Sequence, residues 1–226
     1  GRYLKVLEKQ VPDYQESAYD WRIGVWLVAP VVLVYAMLQL ADNLLLEFII
    51  STLILIVCVG CQEKRHCYKS FLQAANRGDN EACNHYSDNL GYLCNDEDET
   101  VGTTLMWINY SHYFAVAFWF VVAGPAAAVG YVMLREFTCH AQAKDKDIFV
   151  KILGFIDWVP ARITAFGYLI VGHFTRALPV WLGFLFESPA ANRKLLSQVG
   201  KAAEDIETGE NDCTEEPCTM VKLAKR

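Results

Sequence analysis

The sequence predicts an all-α, polytopic integral membrane helical bundle with a cytoplasmic helical loop. Of its 226 residues, 54% are hydrophobic and only 20% are charged, whereas a soluble domain is about 45–50% apolar and about 25% charged. Charged residues are also absent from long stretches, several of which approach the roughly 20 residues that a helix needs to cross a bilayer. This pattern excludes a conventional soluble enzyme, a disordered chain and a protein that binds nucleic acid through a basic face.

The polar segment 1–22 precedes a predicted transmembrane helical hairpin over 23–61. Two apolar stretches, Ile23–Ala41 and Leu44–Cys61, are separated by Asp42 and Asn43 alone. Both open ends of the hairpin carry basic residues, namely Arg2, Lys5, Lys9 and Arg22 before it and Lys64, Arg65 and Lys69 after it. The positive-inside rule therefore predicts that both ends lie in the cytoplasm.

The segment 62–103 is predicted to be a cytoplasmic loop that begins as a helix and ends in the acidic run Asn95–Glu99. This run lacks the alternating ligands and the glycine of a calcium loop, so a solvated loop is favoured over a cation site. The tail, 187–226, contains an acidic stretch, Glu204–Glu216, and is predicted to be flexible and polar.

The segment 104–186 is predicted to be a transmembrane or re-entrant helical region. Its first apolar run, Leu105–Leu134, has about 30 residues, which exceeds one straight span. The run is predicted to be either a tilted crossing or a helix that breaks at Gly124-Pro125 and turns back. Broken backbone at membrane depth requires protein or a wet cavity around it.

The string Asp157-Trp158-Val159-Pro160-Ala161-Arg162 is the sharpest feature of that region. Ionisable residues in a membrane segment are costly and tend to be functional. Because proline suits the first turn of a helix, Pro160 is predicted to begin a new one, with Arg162 beside unpaired backbone N–H groups. Such a site suits a phosphate or carboxylate. The alternative is an Asp157–Arg162 ion pair that keeps a broken helix buried.

Several other polar residues have a structural explanation as well as a functional one. Arg65 and Tyr68, one helical turn apart, are either an interfacial anchor or a second cationic arm reaching the same pocket as Arg162. Asn109 and His112 are explained by hydrogen bonding between helices. The eight cysteines match no ordinary zinc spacing, so they are interpreted as free thiols and no metal site is predicted.

The order of motifs resembles the AmpE family. The resemblance is carried by Leu105–Tyr110, Phe118-Trp119, Gly124, Tyr131, Arg135, the string Asp157–Arg162, Gly172-His173 and Ala177-Leu178-Pro179, with Arg65, Tyr68 and Asp79 inside the matching region. It implies an inner-membrane regulatory or signalling protein linked to β-lactamase induction and cell-wall recycling. It also implies apolar segments before Gly1 and after Arg226 that this sequence lacks.

The family is itself similar to the CobD/CbiB cobinamide-phosphate synthases. Gly78-Asp79 with Ala82, and Pro160–Ala165, resemble two stretches of those enzymes. Other synthase elements are absent: Ile108 stands where an acid is usual, and Leu134–His140 replaces a further motif. The resemblance therefore implies a regulator, and a membrane-embedded ATP/Mg-dependent amide-forming ligase is the alternative.

The sequence thus predicts a multi-pass protein of the bacterial inner membrane that is regulatory rather than catalytic. Its expected partners are the lipid bilayer, an anionic small molecule (a nucleotide or a cell-wall fragment) and a membrane protein, with no nucleic acid and no cofactor. The predicted ligand-binding residues of a cytoplasm-facing pocket are Arg65, Tyr68, Asp79, Asn109, Arg135, Asp157 and Arg162.

Overall fold

The computed structural model describes residues 21–40, 43–60, 62–91, 100–140, 146–204 and 215–226. Every regular element in these ranges is helical, which confirms the all-α class. The predictions for 1–20, for the acidic run at 95–99 and for 205–214 of the acidic stretch lie outside the described residues. The α-helices, in chain order, are α1 (Trp21–Gln39), α2 (Leu44–Val59), α3 (Gln62–Arg77), α4 (Asn80–Leu90), α5 (Val101–Asn109), α6 (Ala115–His140), α7 (Lys146–Val171), α8 (Phe174–Phe184), α9 (Asn192–Ala203) and α10 (Glu215–Lys225).

The chain forms two compact units. Unit 1 contains Gly1–Val59 and Val116–Ile156, and unit 2 contains Gly60–Ala115 and Asp157–Arg226. By length and composition, two helical stretches could cross a membrane, Leu44–Arg77 and Val101–Cys139, and a shorter apolar stretch covers Val28–Gln39.

Unit 1 contains the helices α1 and α2, where the sequence predicts the apolar hairpin. Large apolar side chains of α2 are exposed, with Phe48 at 70% and Val57 at 78% of full accessibility. A soluble protein rarely exposes a continuous apolar surface of this kind, which marks contact with a membrane or a partner.

Helix α6 is kinked at Gly124, the position of the predicted break, whereas the turning back of the chain stays a prediction. The backbone there has φ 83° and ψ −178°, a region that only glycine occupies readily. The backbone is helical again from Pro125 onward, and proline fits the first turn of a helix. The break divides the apolar run into two shorter helical pieces.

We expect Gly124→Ala to lower the free energy of unfolding by about 1–3 kcal/mol, because a Cβ makes this backbone conformation strained. Nothing lies within 4 Å of a Cβ built at Gly124, so the effect is one of backbone strain and not of a steric clash. Thermal unfolding in detergent measures it. Gly167→Ala is the matched control, because that glycine lies inside helix α7 with open space around it and alanine favours a helix. Equal melting temperatures for wild type and Gly124→Ala would contradict the strain argument.

In unit 2, α3 and α4 form a helical hairpin whose turn is specified by two residues. Gly78 has φ 70°, and the N–H groups of Gly78 and Asp79 donate to the carbonyls of Ala75 and Ala74, which is the Schellman ending of a helix. The carboxylate of Asp79 then accepts from Ala82 N at 3.0 Å and caps α4. The Gly78-Asp79 pair is thus a helix stop followed by a helix start.

Helix α5 is central to unit 2. Its first half is buried (Gly102, Thr103, Thr104, Leu105 and Met106), and both α9 and α10 pack against it. A Cβ built at Gly200 of α9 would lie 2.5 Å from the end of Met106. The two helices therefore approach closely at a glycine.

The flexible tail predicted for 187–226 is wrong for its described residues. Helix α9 buries Leu195, Leu196, Val199 and Ala203, and α10 buries Met220 and Leu223. These residues recur at three- and four-residue spacing, the pattern of a helix with one apolar face. The prediction missed this spacing because the tail is polar when its composition is averaged over the whole segment.

Candidate functional site

The central motif lies inside helix α7, which runs without interruption from Lys146 to Val171. The prediction that Pro160 begins a helix is wrong. The proline is fully buried, and the Thr164 hydroxyl donates to its carbonyl at 2.9 Å. This proline has no N–H for the Ile156 carbonyl, a loss that neighbouring groups inside a helical bundle can compensate.

Arg162 binds the carbonyl end of helix α8. Its Nε donates to Leu185 O at 2.7 Å, and its Nη2 donates to Phe184 O at 3.2 Å and to Glu187 O at 2.8 Å. The last carbonyls of a helix have no partner within that helix, and a cation is favoured there by the helix dipole. Arg162, only 6% exposed, satisfies them in the protein interior.

The remaining donors of Arg162 are also engaged. Its Nη1 donates to Trp158 O at 2.9 Å and to Asn192 Oδ1 at 3.1 Å. The guanidinium lies 4.1 Å from the centre of the Trp158 ring, within the range of a cation–π interaction. Trp181 of α8 donates in return to the Arg162 carbonyl at 3.2 Å.

These contacts use all five N–H groups of the guanidinium. An anion could reach Arg162 only by displacing backbone carbonyls or Asn192. Asp157 is not among its partners, so the predicted Asp157–Arg162 ion pair is wrong. Five positions along an α-helix turn two side chains about 140° apart, which directs the two groups to different faces of α7.

Asp157 is bonded by a tyrosine that the sequence reasoning missed. The Tyr110 hydroxyl donates to Asp157 Oδ1 at 2.8 Å, and both residues are only 1% exposed. Tyr110 begins a π-helical turn, Tyr110–Phe114, between α5 and α6. Turns of this kind are rare in proteins, and those that occur often lie at functional sites. Helical periodicity gives no signal for the extra residue per turn that directs Tyr110 to Asp157.

The polar residues around this π-turn have separate environments. His112 Nδ1 lies 3.1 Å from both Ser111 Oγ and the Ile108 carbonyl oxygen. Asn109 is half-buried, and its side-chain amide makes no hydrogen bond within the part of the chain that the structure describes.

Arg65 of α3 contacts the same π-turn from outside. Its Nε donates to the Tyr113 hydroxyl at 2.8 Å, and its guanidinium carbon lies 5.5 Å from the centre of the Tyr113 ring. Arg65 is exposed, and its two Nη groups have no acceptor among the described residues. The Nε of Arg65 therefore holds the side chain in position, and its two Nη groups remain available to a further acceptor.

The other predicted residues lie elsewhere. The Tyr68 hydroxyl is 4.0 Å from the Cys218 thiol of α10, and burial together with this thiol raises the pKa of Tyr68 to about 12. Asp79 is the exposed cap of α4 described above. Arg135, in unit 1, pairs with Glu136 at 3.1 Å. Thus Arg65, Tyr68, Asp79 and Arg162 each contact residues outside the predicted set. No group of three His, Cys, Asp or Glu side chains suitable for a metal occurs in the described ranges.

Comparison with known proteins identifies close and distant relatives. The family model of the regulatory signalling modulator protein AmpE matches residues 13–226. The chain is 28% identical over 193 residues to protein AmpE of Shigella flexneri, covering 77% of this chain and 67% of that protein. It is 23% identical over 202 residues to cobalamin biosynthesis protein CobD of Chromobacterium violaceum, covering 80% of this chain and 64% of that protein. No solved structure matches.

The chain thus spans about two thirds of the length of the curated relatives it matches. These findings confirm the family resemblance that the motifs predict, including the distant similarity to CobD. Since the family model covers almost the whole sequence, the chain belongs to the AmpE family of regulatory signalling modulator proteins.

Proposed function

We propose that this protein is a multi-pass protein of the bacterial inner membrane that regulates β-lactamase induction in response to cell-wall recycling, and that its input is an anionic ligand bound on the cytoplasmic side. Membership of the AmpE family supports the regulatory role. The exposed apolar side chains of α2 support membrane placement. The basic residues at both ends of the α1–α2 hairpin support a cytoplasmic location for α3.

The ligand proposal rests on the difference in hydrogen bonding between two arginines. Arg162 has every donor engaged within the protein, whereas the exposed Arg65 is anchored by Nε and has no acceptor for its two Nη groups among the residues that the structure describes. A guanidinium presents parallel N–H groups that match the oxygens of a phosphate or carboxylate. The unbonded amide of Asn109, one helical turn before Tyr113, adds a donor near the same π-turn.

A ligand bound at Arg65 would be linked to the buried part of unit 2 through a chain of side-chain contacts. Arg65 contacts Tyr113, and Tyr113 belongs to the same π-turn as Tyr110, which is hydrogen-bonded to Asp157. An anion that pulls the Arg65 guanidinium away from Tyr113 would change the support of that turn. The proposed signal is therefore a local change at the π-turn, which directly precedes the long apolar helix α6.

Binding is tested on the detergent-purified full-length protein by thermal shift and titration calorimetry with ATP, inorganic phosphate and a muropeptide. We expect at least one of these anions to stabilise the wild type, and Arg65→Gln to weaken that binding about tenfold or more, since a charged hydrogen bond contributes about 1.5–3 kcal/mol.

Lys222→Gln is the matched control. Lys222 is an exposed cation of the same unit, and its side chain makes no hydrogen bond or ion pair with another described residue. Equal affinity of wild type and Arg65→Gln for every stabilising anion, or no stabilisation by any of the three, would refute the ligand proposal.

The second candidate function is an ATP/Mg-dependent amide-forming ligase. It is favoured by the similarity to CobD. Against it, the carboxylate of Asp79 caps a helix and that of Asp157 accepts from Tyr110. Mg²⁺-dependent ATP hydrolysis that is lost on substitution of Asp79 with the fold intact would favour the ligase over the regulator.

A further inference from the structure

The exposed charged side chains of helix α3 between Lys64 and Arg77 are all basic. From Lys64 to Arg77 the sequence contains four lysines and arginines and no acidic residue. Arg65, Lys69 and Arg77 are exposed, whereas Phe71 and Ala74 on the opposite side are buried. Lys64 is excluded from this face because its Nζ donates to the carbonyl of Asn89 at 2.9 Å and holds the end of α4.

Charge is segregated between the two helices of the hairpin. Helix α4, Asn80–Leu90, contains Glu81 and Asp88 and no lysine or arginine. Both acids are exposed. None of the described ion pairs joins them to Arg65, Lys69 or Arg77. Among the described residues, therefore, no ion pair links the exposed cations of α3 to α4.

The position of α3 in the chain indicates which anion its exposed cations contact. Helix α3 begins at Gln62, three residues after the apolar helix α2 ends at Val59. If α2 crosses the bilayer, chain length alone places the first turn of α3 at the headgroup level. Basic residues next to a membrane helix are attracted to anionic headgroups within a Debye length of about 10 Å.

We propose that the face formed by Arg65, Lys69 and Arg77 docks on the anionic phospholipid headgroups of the cytoplasmic leaflet. This inference rests on the proposed membrane placement of α2. The three charges are spread along the full length of α3, as suits a surface of many phosphates, whereas a single soluble phosphate could contact only one end. Because Arg65 belongs to both sites, headgroups and the soluble ligand compete for it, which makes the regulator sensitive to lipid composition.

The experiment compares amide hydrogen exchange of 62–77 in the full-length protein embedded in phosphatidylcholine bilayers with that in bilayers of phosphatidylcholine and phosphatidylglycerol. We expect slower exchange with phosphatidylglycerol, and reversal at high salt. Each of the substitutions Arg65→Gln, Lys69→Gln and Arg77→Gln is expected to raise the phosphatidylglycerol fraction needed for half-maximal protection about fivefold, since one basic residue contributes about 1 kcal/mol.

Glu81→Gln/Asp88→Asn is the matched control on α4 and is expected to keep the response. Exchange of the buried helix α9 in the same sample reports that the fold is intact in each variant. The inference is overturned if α3 exchanges equally in both bilayers, if the triple variant responds as the wild type does, or if inorganic phosphate in phosphatidylcholine protects the whole of 62–77 as strongly as phosphatidylglycerol does.

Flotation of the vesicles separates this inference from the proposed function. Protein that fails to float with either kind of vesicle contradicts membrane placement and with it both proposals. Protein that floats but shows no dependence on phosphatidylglycerol overturns the docking surface alone.

Discussion

Replacing Arg162 by alanine is expected to lower the free energy of unfolding by about 3–5 kcal/mol, the loss typical of removing one partner from a buried charged network. The substitution removes the donors for the carbonyls at the end of α8 and for Asn192. Buried polar groups that lose their partners carry the cost of desolvation without compensation. The connection of α7 with α8 and α9 should therefore weaken.

Thermal and denaturant unfolding in detergent measures this effect. Arg162→Lys should recover only part of the stability, because an ammonium group cannot reproduce the planar fork of five donors. Arg77→Ala is the control, since Arg77 is exposed and its side chain makes no hydrogen bond or ion pair with another described residue. An Arg162→Ala protein that unfolds like the wild type yet loses anion binding would contradict our account and restore Arg162 as a ligand residue.

The second large effect is expected at Asp157. Asp157→Ala should cost about 2–3 kcal/mol, because it leaves the buried Tyr110 hydroxyl without its carboxylate acceptor. Tyr110→Phe should cost about 1–2 kcal/mol for the converse reason. Since the Tyr110 hydroxyl and the Asp157 carboxylate are partners in the same hydrogen bond, the double variant should be less destabilised than the sum of the single variants.

A double-mutant cycle by thermal unfolding tests this coupling. The control is Tyr86→Phe, whose hydroxyl makes no hydrogen bond within the described ranges, and we expect a change within about 0.5 kcal/mol for it. Strict additivity of the Asp157 and Tyr110 substitutions would show that the hydrogen bond does not stabilise the π-turn.

The membrane-like part of the fold was predictable because its signal is local. Apolar stretches of the right length define α1 and α2, and Gly124-Pro125 marks a break that the backbone shows. Pro160 misled the same reasoning. A proline within an apolar stretch can either begin a helix or be accommodated inside one, and tertiary contacts that the sequence does not display decide between them.

The candidate site was predictable in its residues and not in its connections. Asp157 and Arg162 are buried as their positions suggest, but one contacts Tyr110 and the other contacts a helix end contributed by residues more than twenty positions later. Long-range partners of this kind have no signature in spacing. Similarly, α9 and α10 were missed because their apolar faces are diluted by the charged residues beside them.

The geometry also explains how a motif can be shared without a shared reaction. Pro160–Ala165, the stretch similar to the cobinamide-phosphate synthases, is here buried except for Ile163, and its arginine holds the end of α8. Ala161 and Ala165 allow close packing because both are fully buried small residues. A role in helix packing is compatible with either a regulator or an enzyme built on this scaffold.

The central claim is that an anion bound at Arg65 controls a membrane regulator of β-lactamase induction. Its most direct test is the ratio of induced to uninduced β-lactamase activity in a bacterium whose own gene for the full-length protein carries Arg65→Gln, with Lys222→Gln as the control and immunoblots of the membrane fraction for protein level. We predict a reduced ratio for Arg65→Gln at an unchanged protein level, and the wild-type ratio for Lys222→Gln. The wild-type ratio in Arg65→Gln at an unchanged protein level would contradict the claim.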